Sequence, residues 1–208
     1  MDLTIPGRAI ELMAIFHKAP DAIVCNAGDY GALGPLVDVD LTAWRKSFDL
    51  NFFAIVEMVQ AYLRLVREKS LAGRPKIVLV GGAGIGGPKV MRGISAYSCA
   101  KAALCDLAET VSFEEPSVDI NVLAPGAVDT GITKQAKQAG IISPQPAEDA
   151  AERIGRTIVR LLSPELDGVS GRLVSARWDE ECLARPQQIL DDPHVLRLRR
   201  GFTQARLV

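Results

Sequence analysis

The sequence predicts an α/β fold in which a parallel sheet carries helices on both faces. Short apolar runs recur at 22–25, 76–80, 118–123 and 171–176, and several close on turn residues such as Asn26-Ala27-Gly28 or Pro125-Gly126. Between them lie longer stretches with apolar residues at helical spacing. Strands alternating with helices require crossover connections, which set neighbouring strands parallel and cover the sheet on both sides.

Taken in order, residues 10–17 read as the second half of an amphipathic helix. The run 22–25 is apolar on both faces, as a central strand should be. Thr42 is expected to cap one continuous helix to about Lys69, with Phe48, Phe52, Ile55, Val59, Leu63 and Val66 along one stripe. Strand 76–80 leads into a glycine-rich loop, 81–87, and a helix follows over 95–113. After strand 118–123, residues 127–145 read as a looser segment. Pro146 is then suited to the first position of a helix ending near Leu162, and 171–176 is a last short strand. The polar tail from Trp178 onward, with its arginines at 197–200, reads as a solvated extension.

The chain has 208 residues, enough for one sizeable core, with 48% hydrophobic and 24% charged residues. A net charge of −1 without a long basic run argues against nucleic acid as the main partner. The longest apolar stretch, 52–63, is interrupted by Glu57 and Gln60 and is not a membrane span. The N-terminus has no secretory pattern. Four cysteines (25, 99, 105 and 182) without metal spacing fit reduced thiols and a cytoplasmic setting. His17 and His194 stand far apart and offer no basis for a histidine metal site or a Ser-His-Asp triad.

The stretch Tyr97-Ser98-Cys99-Ala100-Lys101 carries chemistry. A Tyr and a Lys four apart on a helix share a face. A phenol has an ordinary pKa of about 10, and a nearby ammonium together with the helix N-terminus is expected to lower it. Such a pair exchanges a proton with an alcohol or a carbonyl.

Asn26-Ala27-Gly28, Asn51, Tyr97-x3-Lys101 and Pro125-Gly126 with Thr130, in that order, resemble the short-chain dehydrogenase/reductase family over residues 2–176. The resemblance implies a Rossmann-like sheet and NAD or NADP as cofactor. It implies a small-molecule carbonyl or alcohol substrate, and a homodimer or homotetramer. Tyr97 would be the proton donor or acceptor, and Lys101 would lower its pKa and hold the nicotinamide ribose. Asn51 would fix a water behind Lys101. Asn26, Ala27 and Gly28 would pass close to the cofactor ribose, and Pro125, Gly126 and Thr130 would border the nicotinamide and pyrophosphate. Asp2 would touch the adenine.

Two departures accompany the resemblance. The sequence enters the family pattern near the end of its third strand. The first βαβ portion, with its phosphate-binding loop, is therefore expected to be lacking, and Met1 to be an internal or gene-model start. Strand 22–25 would then be a sheet edge. Gly82-Ala83-Gly84-Ile85-Gly86-Gly87 fits G-x-G-x-x-G, but Pro88 and Gly93 read as loop where that fingerprint should open a helix. In addition, Gly84, Gly81 or Gly82 stands where the family places a Ser or Thr, with Ser95 a possible substitute or simply an N-cap.

The expected division is a partial nucleotide-binding domain over 1–177 and an extension over 178–208. The expected function is an NAD(P)-dependent oxidoreductase, impaired by the lacking loop and Ser. The alternative is a non-catalytic subunit or scaffold that keeps the family's dimer surface.

Overall fold

The structure, a computed structural model, describes residues 2–69, 71–82, 85, 91–141 and 145–197. Among the sequence expectations, Met1, Ala83, Gly84, the Gly86-Gly87-Pro88 end of the glycine loop, and Leu198, Arg199 and Arg200 of the tail lie outside these residues.

Four strands, β1 (Ala22–Cys25), β2 (Lys76–Val80), β3 (Asp119–Ala124) and β4 (Leu173–Ser175), form one sheet in the order β1-β2-β3-β4. Every pairing is parallel, with Ala22 opposite Lys76, Lys76 opposite Asp119 and Val122 opposite Leu173. Successive side chains of a strand point to opposite faces, so each strand feeds two cores. Ile77, Leu79, Ile120 and Val122 face one side and pack with α3 (Ala54–Glu68) and α4 (Ser95–Glu114). Val78, Leu123 and Val174 face the other and pack with α6 (Ala150–Leu161). Burying each such side chain stabilises the fold by roughly 1.5–3 kcal/mol. Among the described strands β1 pairs only with β2, and Val24 is exposed, so β1 is a sheet edge as expected.

At the N-terminal edge of the sheet, the buried Asp119 carboxylate accepts from Lys76 Nζ (3.0 Å), Arg74 Nε (2.6 Å) and the Gly168 amide (3.1 Å). Lys76 also meets Asp167 at 2.7 Å. This network ties β2 to β3 at the end opposite the motif residues.

Several elements differ from the sequence expectation. The first helix, α1, spans Arg8–Ala14, earlier than residues 10–17, and seats Ala9 and Met13 against α3. The long helix over 42–69 is three pieces: α2 (Leu41–Phe48), a π-helical turn at Asp49–Phe53, and α3. Its cap is Asp40, whose carboxylate accepts from the Ala43 amide at 2.8 Å; Thr42 lies inside. The segment 127–145 contains a helix, α5 (Gly131–Gln138). α6 starts at Ala150, not at Pro146.

The described part of the tail, 178–197, is docked, not solvated. α7 (Glu180–Leu183) and α8 (Pro186–Asp191) bury Leu183 and Ile189 beside Val78 and Leu123. Arg172, 6% exposed, donates from its guanidinium to the carbonyls of Ile189, Pro193 and Val195. Leu173 N–H donates to Leu196 O at 2.6 Å, and Arg197 pairs with Glu109 at 3.0 Å. The polar composition hid this packing because the arginines are themselves the fasteners.

Candidate active site

Parallel strands deliver their C-terminal ends to one edge, and open α/β sheets bind ligands there. Here that edge collects the turn after β1 (26–30), the Gly81-Gly82 turn after β2 and Pro125-Gly126 after β3.

Asn51 sits fully buried within the π-helical turn. An Asn inside a helix needs partners for its amide, and it finds them across the fold. Its Nδ2 donates to Asp29 O (2.6 Å) and Ser47 O (2.8 Å), and its Oδ1 accepts from the Asp29 amide (3.2 Å). The extra residue of the π-turn sets this side chain toward the loop after β1, a distortion common at functional sites.

Gly28 is the hinge of the arrangement. A Cβ placed on it falls 2.8 Å from Asn51 Oδ1 and 3.2 Å from Lys101 Nζ. One backbone position therefore touches both candidate residues, and only a glycine leaves room for them. Lys101, 2% exposed, donates from Nζ to Val80 O at 2.9 Å. Its Nζ lies 5.9 Å from the centre of the Tyr97 ring, so the two share one face of α4 as expected. Tyr97 is the third residue of α4 and presses on Gly82, where an added Cβ would sit 2.3 Å from the phenol oxygen.

Around Tyr97 the walls are apolar: Ile94, Ala136 and Tyr30 are buried with it, and Leu33, Met91, Ile132 and Ile141 pack against them. Tyr30 meets Tyr97 edge-on, with ring centres 4.7 Å apart.

Electrostatics corrects one expectation. Burial, and then Tyr30, hold the Tyr97 phenol above its ordinary pKa, and the lowering expected from Lys101 is not found. Burial also pulls Lys101 down to about 8, against a smaller upward pull from Cys25. Cys25, at the end of β1, is in turn pushed up to about 12 by burial. In this apolar setting the desolvation of each charge outweighs the attraction between them.

The remaining candidates are placed as follows. Asn26 and Ala27 are exposed on the turn after β1. Pro125 is half-buried, and Gly126 is exposed with φ +77°. Thr130 is exposed and donates its amide to Thr133 Oγ1 at 2.9 Å. Asp2 is exposed, and its carboxylate accepts from the amide and hydroxyl of Thr4, so it shares no hydrogen bond with the other candidates. Ser95 is neither N-cap nor partner of Tyr97: the cap position is Ile94, and Ser95 Oγ accepts from Trp44 Nε1 at 3.1 Å. Sequence reasoning missed Tyr30, Ser47 and Cys25. Tyr30 lies two residues past Gly28, and that proximity was its one available signal.

A nicotinamide dinucleotide suits this edge on two observations. Gly28 leaves an uncluttered backbone beside Lys101 and Asn51. Asp29 Oδ1 is a buried acceptor without a hydrogen-bond partner among the described residues, the kind of atom that takes a ribose hydroxyl.

The short chain dehydrogenase family model matches residues 9–140, a stretch holding Gly28, Asn51, Tyr97 and Lys101. The chain belongs to the short-chain dehydrogenase family. It is 36% identical over 132 residues to an uncharacterized oxidoreductase of Schizosaccharomyces pombe, covering 62% of this chain and 50% of that one. It is 37% identical over 151 residues to a Saccharomyces cerevisiae protein named benzil reductase ((S)-benzoin forming), covering 66% and 54%. The chain thus spans about half the length of these curated relatives. Among solved structures, a short chain dehydrogenase/reductase family protein aligns with TM-score 0.65 at 24% identity, over 84% of this chain and 73% of that one. BdcA in complex with NADPH aligns with TM-score 0.66 at 20% identity, over 84% and 71%. These structures share the Rossmann-like fold. No helix among the described residues is long and apolar enough to cross a membrane.

Proposed function

We propose that this short-chain dehydrogenase family member is an NAD(P)-dependent oxidoreductase acting on a carbonyl or alcohol carbon. The observation that carries the reading is the convergence of Lys101 and Asn51 on Gly28 at the carboxyl edge of the sheet, with the Tyr97 ring centre 5.9 Å from Lys101 Nζ. NAD or NADP, when bound, supplies or accepts the hydride. Asn26 to Gly28, Lys101, Pro125, Gly126 and Thr130 are the residues to hold it. The match to a protein solved with NADPH supports the choice of cofactor class.

Tyr97 gives its proton to the carbonyl oxygen in reduction and takes it back in oxidation. A neutral phenol is the starting form for a proton donor, and burial holds Tyr97 in that form as a weaker acid than a free phenol. Lys101, titrating at about 8, returns the proton in this reading. Asn51 fixes the loop that carries Gly28 against Lys101. Domain 1–177 is the catalytic unit in this reading, 178–208 an extension, and the assembly a cytoplasmic homodimer or homotetramer. The four free cysteines agree with a reducing compartment.

One observation favours a second reading, a non-catalytic subunit: Tyr97 in this state is not activated toward ionisation. The test is turnover of NADH or NADPH with a panel of ketones and diketones, for the wild type and Tyr97→Phe. Turnover that disappears in the variant, which keeps its fold, supports the enzyme. Equal turnover in both rules out Tyr97 as the proton donor.

A further inference from the structure

A carbonyl oxygen that gains charge on reduction has two lone pairs, and a single donor leaves one of them unstabilised. A site of this chemistry is expected to present a second hydroxyl or N–H. Three described hydroxyls of this region are otherwise engaged. Ser47 Oγ donates to Tyr30 O at 3.0 Å. Ser95 bonds Trp44 and stands two residues from Tyr97 on α4, a spacing that does not share a face. Thr133 Oγ1 donates to the carbonyls of Val128 and Thr130. Residue 82 admits no side chain against the phenol.

Tyr30 is different. It is 4% exposed, and its ring stands edge-on to Tyr97 at 4.7 Å and 77°. Its backbone is fixed on both sides, by Ser47 at its own carbonyl and by Asn51 at Asp29. Among the described residues neither phenol hydroxyl has a hydrogen-bond partner. The two are close enough that Tyr30 raises the pKa of Tyr97.

We propose that Tyr30 is the second hydroxyl of the site, donating to the same substrate oxygen that Tyr97 protonates, and that the apolar wall around the pair selects uncharged carbonyl compounds. This rests on the oxidoreductase reading above. Hydride adds to the carbonyl carbon, the π pair moves onto oxygen, and the oxygen takes the Tyr97 proton. The carbon is reduced and the nicotinamide of NADH or NADPH is oxidised. Tyr30 keeps its own proton throughout and stabilises the charge on oxygen by a hydrogen bond.

The test compares wild type, Tyr30→Phe and Tyr97→Phe in the full chain. Tyr30→Phe keeps the ring packing and loses only the hydroxyl. Its kcat is expected to fall on the order of a hundredfold, with the KM for cofactor unchanged. A readout without cofactor uses chains labelled with 13Cζ-tyrosine and titrated with butyramide, whose uncharged carbonyl oxygen stands in for that of the substrate. The Tyr30 and Tyr97 signals are expected to move together while Tyr62 stays. Wild-type kcat in Tyr30→Phe with an inactive Tyr97→Phe, or a Tyr97 signal that moves alone, overturns the role of Tyr30 and leaves Tyr97 in place. A wild type that neither binds cofactor nor turns over sinks the oxidoreductase reading itself, and this inference with it.

Discussion

Asn51 grips the backbone of Asp29 from both sides, donating to its carbonyl at 2.6 Å and accepting from its amide at 3.2 Å. A side chain in a helix thus imitates a neighbouring strand and holds the loop after β1 in register. Asn51→Ala leaves both Asp29 groups without that partner. The unfolding free energy is expected to drop by about 2 kcal/mol in urea titration, together with turnover. An unchanged midpoint would show that the loop holds itself.

Gly28 lies where the side chains of Asn51 and Lys101 converge. Gly28→Ala forces one of them aside. Overpacking of this kind destabilises by about 1–3 kcal/mol, and cofactor affinity is expected to fall more than thermal stability does. Isothermal titration with NADH and NADPH, beside a melting curve, separates the two. Wild-type affinity in this variant would mean the cofactor does not approach residue 28.

Lys101 makes stability depend on pH. Its pKa is about 8 in the folded chain and 10.5 ordinarily. Between those values the unfolded chain binds more protons, so stability rises with pH. Below pH 8 the buried ammonium is a constant penalty, on the order of 3 kcal/mol. Cys25 works the other way above its ordinary value of 9.0, because the folded thiol keeps its proton. The clean window is therefore pH 8 to 9, where the wild type is expected to gain stability in chemical denaturation and Lys101→Met is not. Parallel curves for the two would place the lysine in water.

Arg172 fastens the tail through three backbone carbonyls. Arg172→Met keeps the aliphatic bulk but orphans those acceptors, at about 2–4 kcal/mol. Limited proteolysis is expected to cut within 178–197 in the variant and to spare the wild type. Equal resistance would mean that Leu183 and Ile189 hold the tail without the arginine.

The sheet was legible because its strands are short and apolar and the first three are closed by Asn, Gly or Pro; all four lie within two residues of their expected limits. The Tyr97–Lys101 pairing was legible because helical spacing alone fixes it. The π-turn at Asn51 was not, since the apolar stripe runs unbroken through it and the bulge answers to Asp29, distant in sequence. α5 was masked by its Gly and Thr content, and the tail by charged residues whose partners are backbone carbonyls. The expected drop in the Tyr97 pKa failed because spacing shows which charge is near and not how dry the surroundings are.

Nicotinamide cofactor binding tests the central claim most directly: titration of NADH and NADPH into the wild type and Lys101→Met, followed by nicotinamide fluorescence. The account predicts saturable, micromolar binding of at least one of the two by the wild type and a clear loss in the variant. Identical curves for both proteins, or no binding at millimolar cofactor, would contradict it.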